Sequence, residues 1–360
     1  MNRADSASAS DRRAWVEVDL AAIVANARRV AAVAGTRLMP MVKANGYGLG
    51  AVTVARALDP IDPWGFGVAT MAEAAELRAA QIGRAILLFT PILPEWIAAA
   101  AHLRVTPVIC DVGALRHWLE AAPDRAFHVG IDTGMARAGI AHDDHAALAE
   151  ARELLARRKG YEGICTHFHS AETDPAATAR QWDRLQTTIR ALGPRPPMVH
   201  AANSVAALAG PQLAGDLVRP GIFLYGGRAG PHEPLPAARF SARIVATRTV
   251  RRGETVSYGA TWRAPHDVVI ATLAAGYADG IPRTLSGVGA VEVDGRRYPI
   301  RGRVTMDMTL VEADRGVEVG AVGTIFGGLV SLDEQARNAG TISYELLTRI
   351  SPRVERRYST

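Results

Sequence analysis

Apolar and polar residues alternate in two different ways along this chain, and the first pattern covers about two-thirds of it. Short apolar runs of strand length are separated by stretches in which apolar residues recur at helical spacing. The predicted strands are residues 37–44, 64–70, 85–90, 105–110, 127–133, 161–168, 198–202 and 217–225. The predicted helices are residues 50–58, a helix from residue 71, 95–102, 114–121, 144–158, 177–192 and a short helix after residue 202. About eight strand–helix units close a parallel sheet on itself, so the pattern predicts an α/β fold built on a (β/α)8 TIM-type barrel.

Two local signals add to this prediction. Thr70 is followed three residues later by Glu73, which predicts a capping box at the start of the helix from residue 71. An opening strand at residues 15–18 precedes a first helix at Asp19, and the pattern leaves its pairing open.

The second pattern begins after Pro231, Pro234 and Pro236, which indicate a linker. Apolar and polar residues then alternate with a period of two, and an Asp294-Gly295 pair predicts a hairpin turn. The predicted strands are residues 240–250, 255–262, 268–274, 289–293, 298–304 and 309–312, with helices at 333–339 and 343–350. The chain therefore divides by prediction into a barrel at residues 12–235 and a β-rich domain at residues 236–360.

Composition and charge exclude several classes of protein. Hydrophobic residues make up 48% and charged residues 21% of the 360 residues, which are values of a globular chain. The net charge is 41 − 36 = +5, but the arginines are scattered in short pairs, so we expect no nucleic-acid partner. Residues 1–11 carry no apolar signal-peptide core, and no apolar run approaches the ~18 residues of a membrane span. With only Cys110 and Cys165, far apart, the prediction is a cytoplasmic protein without a disulfide framework and without contact with a membrane.

Candidate chemistry begins with Lys43, which ends the first predicted strand. Reactive residues of parallel barrels lie at the carboxyl ends of strands and in the loops that follow. A lysine in an apolar run is costly when charged, and an uncharged amine is what Schiff-base chemistry requires. A structural lysine is the simpler interpretation of this residue taken alone.

The seventh and eighth strands carry a second signal. Asn203 and Ser204 follow the seventh strand, where a hydroxyl and a helix start suit a phosphate, and Gly221-Ile222 lets backbone approach closely in the eighth. An ordinary helix cap explains Asn203-Ser204 equally well. A reactive lysine facing a phosphate site indicates pyridoxal 5'-phosphate.

Arg219 in the eighth strand limits the chemistry of such a cofactor. Arginine does not give up its proton, so opposite the pyridine nitrogen it would donate a hydrogen bond and leave that nitrogen unprotonated. The cofactor ring is then a weaker electron sink, which favours simple proton exchange over reactions that need a long-lived quinonoid.

Eight motifs in one order give the chain a resemblance to a known family. MVKANGYG, IDTGMARAG, CTHF, HAANS, VRPGIFLYG, SYGATW, GYADG and GRVTMDM together resemble the alanine racemases, which depend on pyridoxal phosphate. The similarity runs from about Trp15 to Tyr358. It implies a homodimer whose active site is completed by the partner's β domain, and the interconversion of L- and D-alanine for peptidoglycan.

The resemblance also implies a role for individual residues. Lys43 would be the Schiff-base lysine and the base for D-alanine, and Tyr258 of the other subunit the base for L-alanine, since racemisation needs two acid–base groups on opposite faces. His167 would link Tyr258 to Arg219. The residues implied at the cofactor phosphate are Tyr47, Ser204, Gly221, Ile222 and Tyr358; Arg137 and the backbone of Met306 would hold the substrate carboxylate, Tyr277 would narrow the entrance and Asp307 would support the site.

One position departs from the family. Many members carry a lysine two residues before the aspartate of the DTGM motif; that lysine becomes carbamylated and positions the arginine. The chain has Gly130 there, so Arg137 must be oriented by another group, such as Asp132, His128, a water molecule or a bound anion. The departure puts the affinity for alanine and the side-chain selectivity in question, whereas both proposed bases remain.

Three other functions stay open. Gly130 leaves volume beside the carboxylate site, which suits a broader racemase that also acts on serine. A non-catalytic pyridoxal-phosphate-binding barrel would have no need of SYGATW and GYADG, and a decarboxylase would favour a carboxylate in place of Arg219.

A metal site is not predicted. Cys165, His167 and His169 share one predicted strand face, but we interpret them as a packed cysteine, the tyrosine-linking histidine and a surface residue.

Overall fold

A computed structural model of the chain describes residues 13–156 and 159–360. Residue 12, where the predicted barrel begins, and residue 158, where a predicted helix ends, lie outside the described residues. Within them, no helix is long and apolar enough to span a bilayer.

The first part of the structure alternates strands and helices, as predicted. Its strands are β1 (Ala14–Asp19), β2 (Arg37–Leu38), β3 (Gly65–Val68), β4 (Ala85–Leu88), β5 (Val105–Ile109), β6 (Phe127–Asp132), β7 (Ile140–Ala141), β8 (Tyr161–Cys165), β9 (Met198–His200) and β10 (Leu217–Val218). Its helices are α1 (Leu20–Ala34), the short turn α2 (Lys43–Tyr47), α3 (Ala51–Leu58), α4 (Met71–Ala79), α5 (Ile97–His102), α6 (Val112–Ala121), α7 (His145–Leu155), α8 (Pro175–Leu192) and α9 (Ser204–Leu208).

Polar caps fix where many of these helices begin. The predicted capping box is confirmed: Thr70 accepts a hydrogen bond from the backbone N–H of Glu73, and the Glu73 carboxylate accepts one from the backbone N–H of Thr70. Several other helices start with a short polar side chain that accepts from the third helical N–H, which satisfies a donor with no partner inside the helix. These caps are Asp19, Asp111, Asp144, Asp174 and Asn203.

The parallel strands form a curled sheet with their carboxyl ends on one side. The hydrogen-bonded order is β3-β4-β5-β6-β8-β9, and β2 pairs in parallel with β10. Continuous apolar runs such as Ile86–Leu88 and Val105–Ile109 are buried, as expected for strands with both faces covered. The residues that follow the strands therefore gather at one edge of the sheet.

The second part is mainly antiparallel. Its strands are β11 (Ala238–Val250), β12 (Thr255–Val256), β13 (Trp262–Arg263), β14 (Val268–Leu273), β15 (Ala290–Val293), β16 (Arg296–Pro299), β17 (Thr309–Ala313), β18 (Val322–Phe326) and β19 (Glu355–Ser359), with helices α10 (Leu332–Asn338) and α11 (Ser343–Thr348). The opening strand β1 lies in this sheet, antiparallel to β11 and parallel to β19. The sequence analysis missed β18 and β19.

Several predicted strands are shorter in the structure. The run 37–44 is a strand only at Arg37–Leu38, so Lys43 lies in the turn α2 and does not end a strand as predicted. The run 255–262 is interrupted by a turn at Tyr258–Ala260, because Ser257 and Gly259 have φ angles of +65° and +72° that a strand does not accommodate. The run 217–225 ends at Val218 and continues as a 3₁₀ turn over Ile222–Tyr225. The run 161–168 ends at Cys165, so the prediction that His167 and His169 share its strand face was wrong.

Candidate active site

A cavity of about 240 Å³ opens at the carboxyl ends of the parallel strands. It brings together eight of the residues named from the sequence: Lys43, Tyr47, Arg137, His167, Ser204, Arg219, Gly221 and Ile222. The remaining lining residues are Met41, Ala44, Phe89, Asn203, Tyr344 and Thr348. Residues that follow six different strands and residues of α11 therefore meet in one place.

Lys43 enters this cavity from a left-handed turn of the backbone. Ala44, Asn45 and Tyr47 have φ angles of +52°, +53° and +54°, a conformation that costs a residue with a side chain roughly 1–2 kcal/mol. The turn is held by a hydrogen bond from the backbone N–H of Gly46 to the carbonyl of Val42 and by one from the N–H of Ala51 to the Asn45 side chain. Burial lowers the pKa of Lys43, and the neighbouring Arg137 lowers it further, so the amine tends toward its neutral form.

The carboxylate of Glu73 ties this turn to the start of helix α4. Its Oε1 accepts a hydrogen bond from the N–H of Ala44 at 2.7 Å, and its Oε2 accepts from Ala69 at 2.7 Å and Thr70 at 3.1 Å. The same negative charge raises the pKa of Lys43 against burial and the arginines. Glu73 thus fixes the residue next to Lys43 and limits how far its pKa falls.

We expect Glu73→Gln to destabilise the protein by about 1–2 kcal/mol, since an amide cannot accept all three hydrogen bonds. Loss of the charge also lowers the pKa of Lys43, so Lys43 of the cofactor-free variant should react with an amine reagent at lower pH than in the parent. Peptide mass spectrometry after timed labelling measures this. Glu76→Gln, on the exposed side of the same helix, is the control, and equal labelling profiles for the two variants would contradict the role of Glu73.

The opposite end of the cavity presents donors suited to a phosphate. The Ser204 hydroxyl accepts a hydrogen bond from the N–H of Gly221 at 2.9 Å, while the N–H groups of Ser204 and Ile222 donate to no atom of residues 13–156 and 159–360. A Cβ at Gly221 would lie 2.1 Å from the Tyr47 hydroxyl, so only glycine allows that close approach. Burial raises the pKa of Tyr47, and its hydroxyl remains a donor. Hydroxyls and free N–H groups in a confined space are the donor set a phosphate requires.

Arg219 is buried beneath the cavity and is held through its two terminal nitrogens. Nη2 donates to the carbonyls of Thr166 at 2.7 Å and Ala201 at 2.9 Å and lies 3.3 Å from His167 Nδ1, whereas Nη1 lies 2.7 Å from His200 Nδ1. The third nitrogen, Nε, donates to no atom of the described part of the chain. A donor on a fixed cation is left for whatever binds in the cavity.

Two histidines, His167 and His200, contact this arginine, and His128 contacts His200. Burial lowers the pKa of His167 to about 3, with Arg219 as the second cause, and lowers the pKa of His128 and His200 for the same main reason. These imidazoles are neutral in the folded protein at pH 7.

The histidines should make stability fall with acid. Below pH 6.5 the unfolded chain protonates these side chains more readily than the folded protein does, so the free energy of unfolding decreases as pH falls. At about 1.4 kcal/mol per pH unit, and with only the unit below pH 6.5 contributing, His167 gives a loss of about 1.4 kcal/mol between pH 7.5 and pH 5.5, and His128 and His200 add to it.

Urea unfolding of the cofactor-free protein at the two pH values measures this loss. Replacement of the exposed His117 by Asn should leave it unchanged. A loss below about 1 kcal/mol would mean that His167 is protonated in the folded protein.

A second cavity of about 330 Å³ adjoins the first beside Gly130. It shares Lys43, Arg137, His167 and Arg219 with the first cavity and is also lined by Cys110 and Cys165. Arg137 forms no hydrogen bond or ion pair within the described residues: Asp132 accepts instead from the N–H groups of Gly134 and Ala136, and His128 contacts His200. Neither side chain suggested from the sequence orients this arginine.

Five residues named from the sequence lie outside both cavities. Tyr258 is 73% exposed on its turn between β12 and β13, and Met306 and Tyr277 are 54% and 44% exposed. Asp307 is exposed and pairs with Arg353, and the Tyr358 hydroxyl donates to the carbonyl of Leu49 at 3.1 Å. Within this single chain the structure does not join Tyr258 to Lys43.

The loops that carry Tyr277 and Met306 are bound to each other. The N–H of Tyr277 donates to the carbonyl of Thr305, and the N–H of Ala278 donates to that of Met306, both at 3.0 Å. Asp279, 1% exposed, accepts from both Arg13 and Arg353 and so anchors the first loop. The N–H of Met306 itself donates to no atom of the described residues.

Sequence reasoning missed Glu73 as a support for Lys43, and it missed His200, Tyr344 and Thr348. Tyr344 and Thr348 come from α11, about 140 residues beyond Ser204, and no local signal connects them. His200 opens the HAANS motif and is the last residue of β9, so a signal existed there. Within the described residues no group of three metal-ligating side chains is assembled, and His169 Nδ1 lies 2.6 Å from the Ser170 hydroxyl.

A lysine of lowered pKa, a phosphate-type donor set and a fixed arginine at the carboxyl ends of a curled parallel sheet define a pyridoxal-phosphate type of enzyme site. The sequence profile of the alanine racemase N-terminal domain matches residues 18–229, and that of the alanine racemase C-terminal domain matches residues 237–358. The chain belongs to the alanine racemase family, whose members are pyridoxal-phosphate-dependent isomerases.

Individual alanine racemases are similar to this chain over nearly its whole length. The alanine racemase of Deinococcus radiodurans is 38% identical over 361 residues, which cover 96% of this chain and 99% of that protein. The biosynthetic alanine racemase from Pseudomonas aeruginosa has a TM-score of 0.89 at 35% identity, over 97% of this chain and 100% of that chain. The alanine racemase from Bartonella henselae, solved with covalently bound pyridoxal phosphate, has a TM-score of 0.89 at 28% identity, over 96% and 99% of the two chains.

Proposed function

We propose that this protein interconverts L-alanine and D-alanine with pyridoxal 5'-phosphate. The observation that carries the proposal is the shared cavity, in which Lys43 faces Arg137 and Arg219 at one end and the Ser204–Ile222 donors lie at the other. When bound, the cofactor supplies an aldehyde that attaches to an amine and a ring that accepts electrons from the α-carbon.

The residues present fit that cofactor. Tyr47, Ser204, Gly221 and Ile222 are proposed to hold its phosphate, with Tyr344 and Thr348 closing the same end of the cavity. Tyr358 was also assigned to the phosphate; its hydroxyl stands beside Gly50 and donates to Leu49, so its proposed part is to support that end. Arg219 Nε is proposed to donate to the ring nitrogen and, because arginine keeps its proton, to leave that nitrogen unprotonated. This favours removal and return of a single proton over decarboxylation.

Two bases are proposed for the proton transfer. Lys43, whose pKa burial and Arg137 lower, removes or returns the α-proton on one face of the substrate. Tyr258 does the same on the other face, and His167, 3.3 Å from Arg219, connects this tyrosine to the arginine. Arg137 and the free N–H of Met306 are proposed to bind the substrate carboxylate.

The exposed position of Tyr258 leads to a proposal about assembly. Tyr258, Tyr277 and Met306 are proposed to enter the active site of a second copy of the chain, so that a homodimer has two shared sites. Support comes from their exposure and from the hydrogen bonds that join the loops carrying Tyr277 and Met306. Tyr277 would then narrow the entrance and Asp307, held by Arg353, would support it.

The finer description of the fold is part of the same proposal. We propose that the parallel sheet closes into a complete (β/α)8 barrel over residues 12–235 and that residues 236–360 form the mainly-β domain. Hydrogen bonds from the Trp64 N–H to the carbonyl of Leu38 and from the Asp216 N–H to the carbonyl of Val199 support closure beside β2 and β10.

The proposed location is the cytoplasm, which the two free cysteines support. The proposed role is the supply of D-alanine for peptidoglycan, which the biosynthetic Pseudomonas aeruginosa relative supports. Rescue of a D-alanine-requiring strain tests this role.

Shared sites predict recovery of activity from two inactive variants. We expect Lys43→Ala and Tyr258→Phe each to lose racemisation by several orders of magnitude. After the two are mixed, dissociated and reassembled, half of the dimers are mixed, and each mixed dimer has one intact site, so about a quarter of the parent activity should return. Polarimetry of L-alanine measures it.

No recovery on mixing would mean that each site lies within one chain. Racemisation by Tyr258→Phe comparable to that of the parent in both directions would contradict the two-base mechanism.

The cavity beside Gly130 supports a second candidate, a racemase that also accepts serine. This cavity of about 330 Å³ lies next to Arg137 and has room for a side chain larger than that of alanine. Arg137 itself has no hydrogen-bond or ion-pair partner among the described residues. A hydrophobic pocket discriminates weakly against one added hydroxyl, by roughly 100-fold, so we expect kcat/KM for alanine to exceed that for serine by no more than this.

Gly130→Ala should increase the preference for alanine. The new Cβ would lie 3.0 Å from Val108 Cγ1 and 3.2 Å from Cys110 Sγ, which narrows this cavity. A thousandfold preference for alanine in the parent protein would dismiss the second candidate.

A further inference from the structure

A line of buried hydrogen bonds leads away from the cavity, on the far side of Arg219. Arg219 Nη1 lies 2.7 Å from His200 Nδ1, and His200 Nε2 lies 2.8 Å from His128 Nδ1. Both imidazoles are 0% exposed. Beyond them, His128 Nε2 lies 3.7 Å from a carboxylate oxygen of Glu162.

The position of every proton in this line follows from the arginine. A guanidinium has donors and no acceptor, and although burial lowers the pKa of Arg219, arginine begins so far above neutrality that it stays charged. His200 Nδ1 must therefore accept, which leaves its proton on Nε2. That N–H donates to His128 Nδ1, so His128 carries its own proton on Nε2. A second proton on either ring would place two N–H groups face to face.

The groups around His128 are compatible with a proton on its Nε2. The Nε2–H of His128 points toward the half-exposed carboxylate of Glu162, and it has no hydrogen-bond partner within the described residues. Glycine at position 163 makes room for the ring, because a Cβ there would lie 2.6 Å from His128 Nδ1. The ring is also packed 5.4 Å from that of Trp64. These contacts confine the ring of His128, and its hydrogen bond to His200 sets which nitrogen faces that residue.

The line acts on the cavity through the guanidinium. His200, Thr166 and Ala201 take up the N–H groups of Nη1 and Nη2 that point away from the cavity, and Phe89 lies 5.4 Å from the guanidinium carbon. If His200 turned, Nη1 would lose its acceptor and the guanidinium would be held by the hydrogen bonds of Nη2 alone. His128 prevents this by accepting the Nε2–H of His200.

We propose that His128 is a positioning residue of the active site: it holds the His200 ring with Nδ1 toward Arg219, and Arg219 is thereby fixed with its Nε–H free to donate into the cavity. The hydrogen-bond line stands on the structure alone. Its effect on the cofactor rests on the proposed function, in which Arg219 meets the ring nitrogen.

Histidine ¹⁵N–¹H NMR of the cofactor-free protein tests the line without activity. His200 and His128 should both appear as neutral rings protonated at Nε2. His128→Leu keeps bulk but removes the acceptor, so the His200 signals should shift or broaden. His128→Asn places an amide oxygen near the former Nδ1 and should restore them, while His117→Leu, an exposed control, should leave them unchanged.

The cofactor provides the second measurement. His128→Leu should weaken pyridoxal-phosphate binding and reduce kcat for alanine by roughly 10- to 100-fold, the effect of one unsatisfied buried donor, and shift the visible band of the bound cofactor. His128→Asn should recover most of the band position. Stability lost equally in both variants, with His200 signals and the band as in the parent, would show a packing role and overturn the proposal.

A parent protein whose His200 carries its proton on Nδ1 would also overturn the proposal. If the parent has the expected histidine signals but binds no pyridoxal phosphate and racemises nothing, the hydrogen-bond line stands and the proposed function fails. The two failures are therefore distinguishable.

Discussion

The permanent charge of Arg219 is the constraint on which the active site depends. A buried cation must be surrounded by acceptors, and the carbonyls of Thr166 and Ala201 and the ring nitrogen of His200 supply them. Burial is the main cause of the lowered pKa of His167, His200 and Lys43, and the charge of Arg219 lowers each of these pKa values further. One side chain thus influences the protonation of its neighbours, and the cavity above it attracts an anionic ligand.

Close approach of side chains to glycine backbone gives the site its shape. The Tyr47 hydroxyl reaches the backbone of Gly221, and the His128 ring lies against Gly163, each at a distance that a Cβ would not allow. The left-handed turn after Lys43 brings Tyr47 to that position, stacked at 4.5 Å on Tyr225, whose hydroxyl donates to the carbonyl of Met41. The backbone energy of the turn is offset by these contacts and by the Glu73 hydrogen bonds, so the lysine is held by contacts on both sides of it.

The sequence was informative where one short segment contains the whole signal. Strand–helix alternation, the Thr70–Glu73 capping box and the Asn203 cap are local, and each was predicted correctly. The end of strand β12 at Val256 was not predicted, because the pattern through SYGATW resembles that of a strand and the positive φ angles of Ser257 and Gly259 interrupt it. Strand β19 was missed because it pairs with β1, more than 300 residues away, and its arginines hide the period-two pattern.

The same limit applies to the site. The motifs placed eight residues in one cavity, because each follows a strand and the carboxyl ends of parallel strands meet. Glu73 was interpreted as a helix cap, since nothing in its segment shows that Ala44 lies within reach of its second oxygen. His128 was considered as a partner for Arg137, whereas pairing between β6 and β8 and the space at Gly163 turn it toward His200. Such contacts depend on the order of strands in the sheet, which no single segment encodes.

Gly130 shows how a lost charge changes the role of its neighbour. Burial raises the pKa of the Cys110 and Cys165 thiols to about 12 and about 11, so these groups of the second cavity remain uncharged. Arg137 therefore has no anionic partner among the described residues, and an exposed guanidinium without one is free to move. In the proposed reaction the substrate's carboxylate is itself the ion that orders this arginine. Binding then includes the entropy of fixing a side chain, which a preformed anion would have removed in advance. The proposed reaction therefore implies weaker selection for side-chain size in the substrate, because the contact that would position the carboxylate adapts to it.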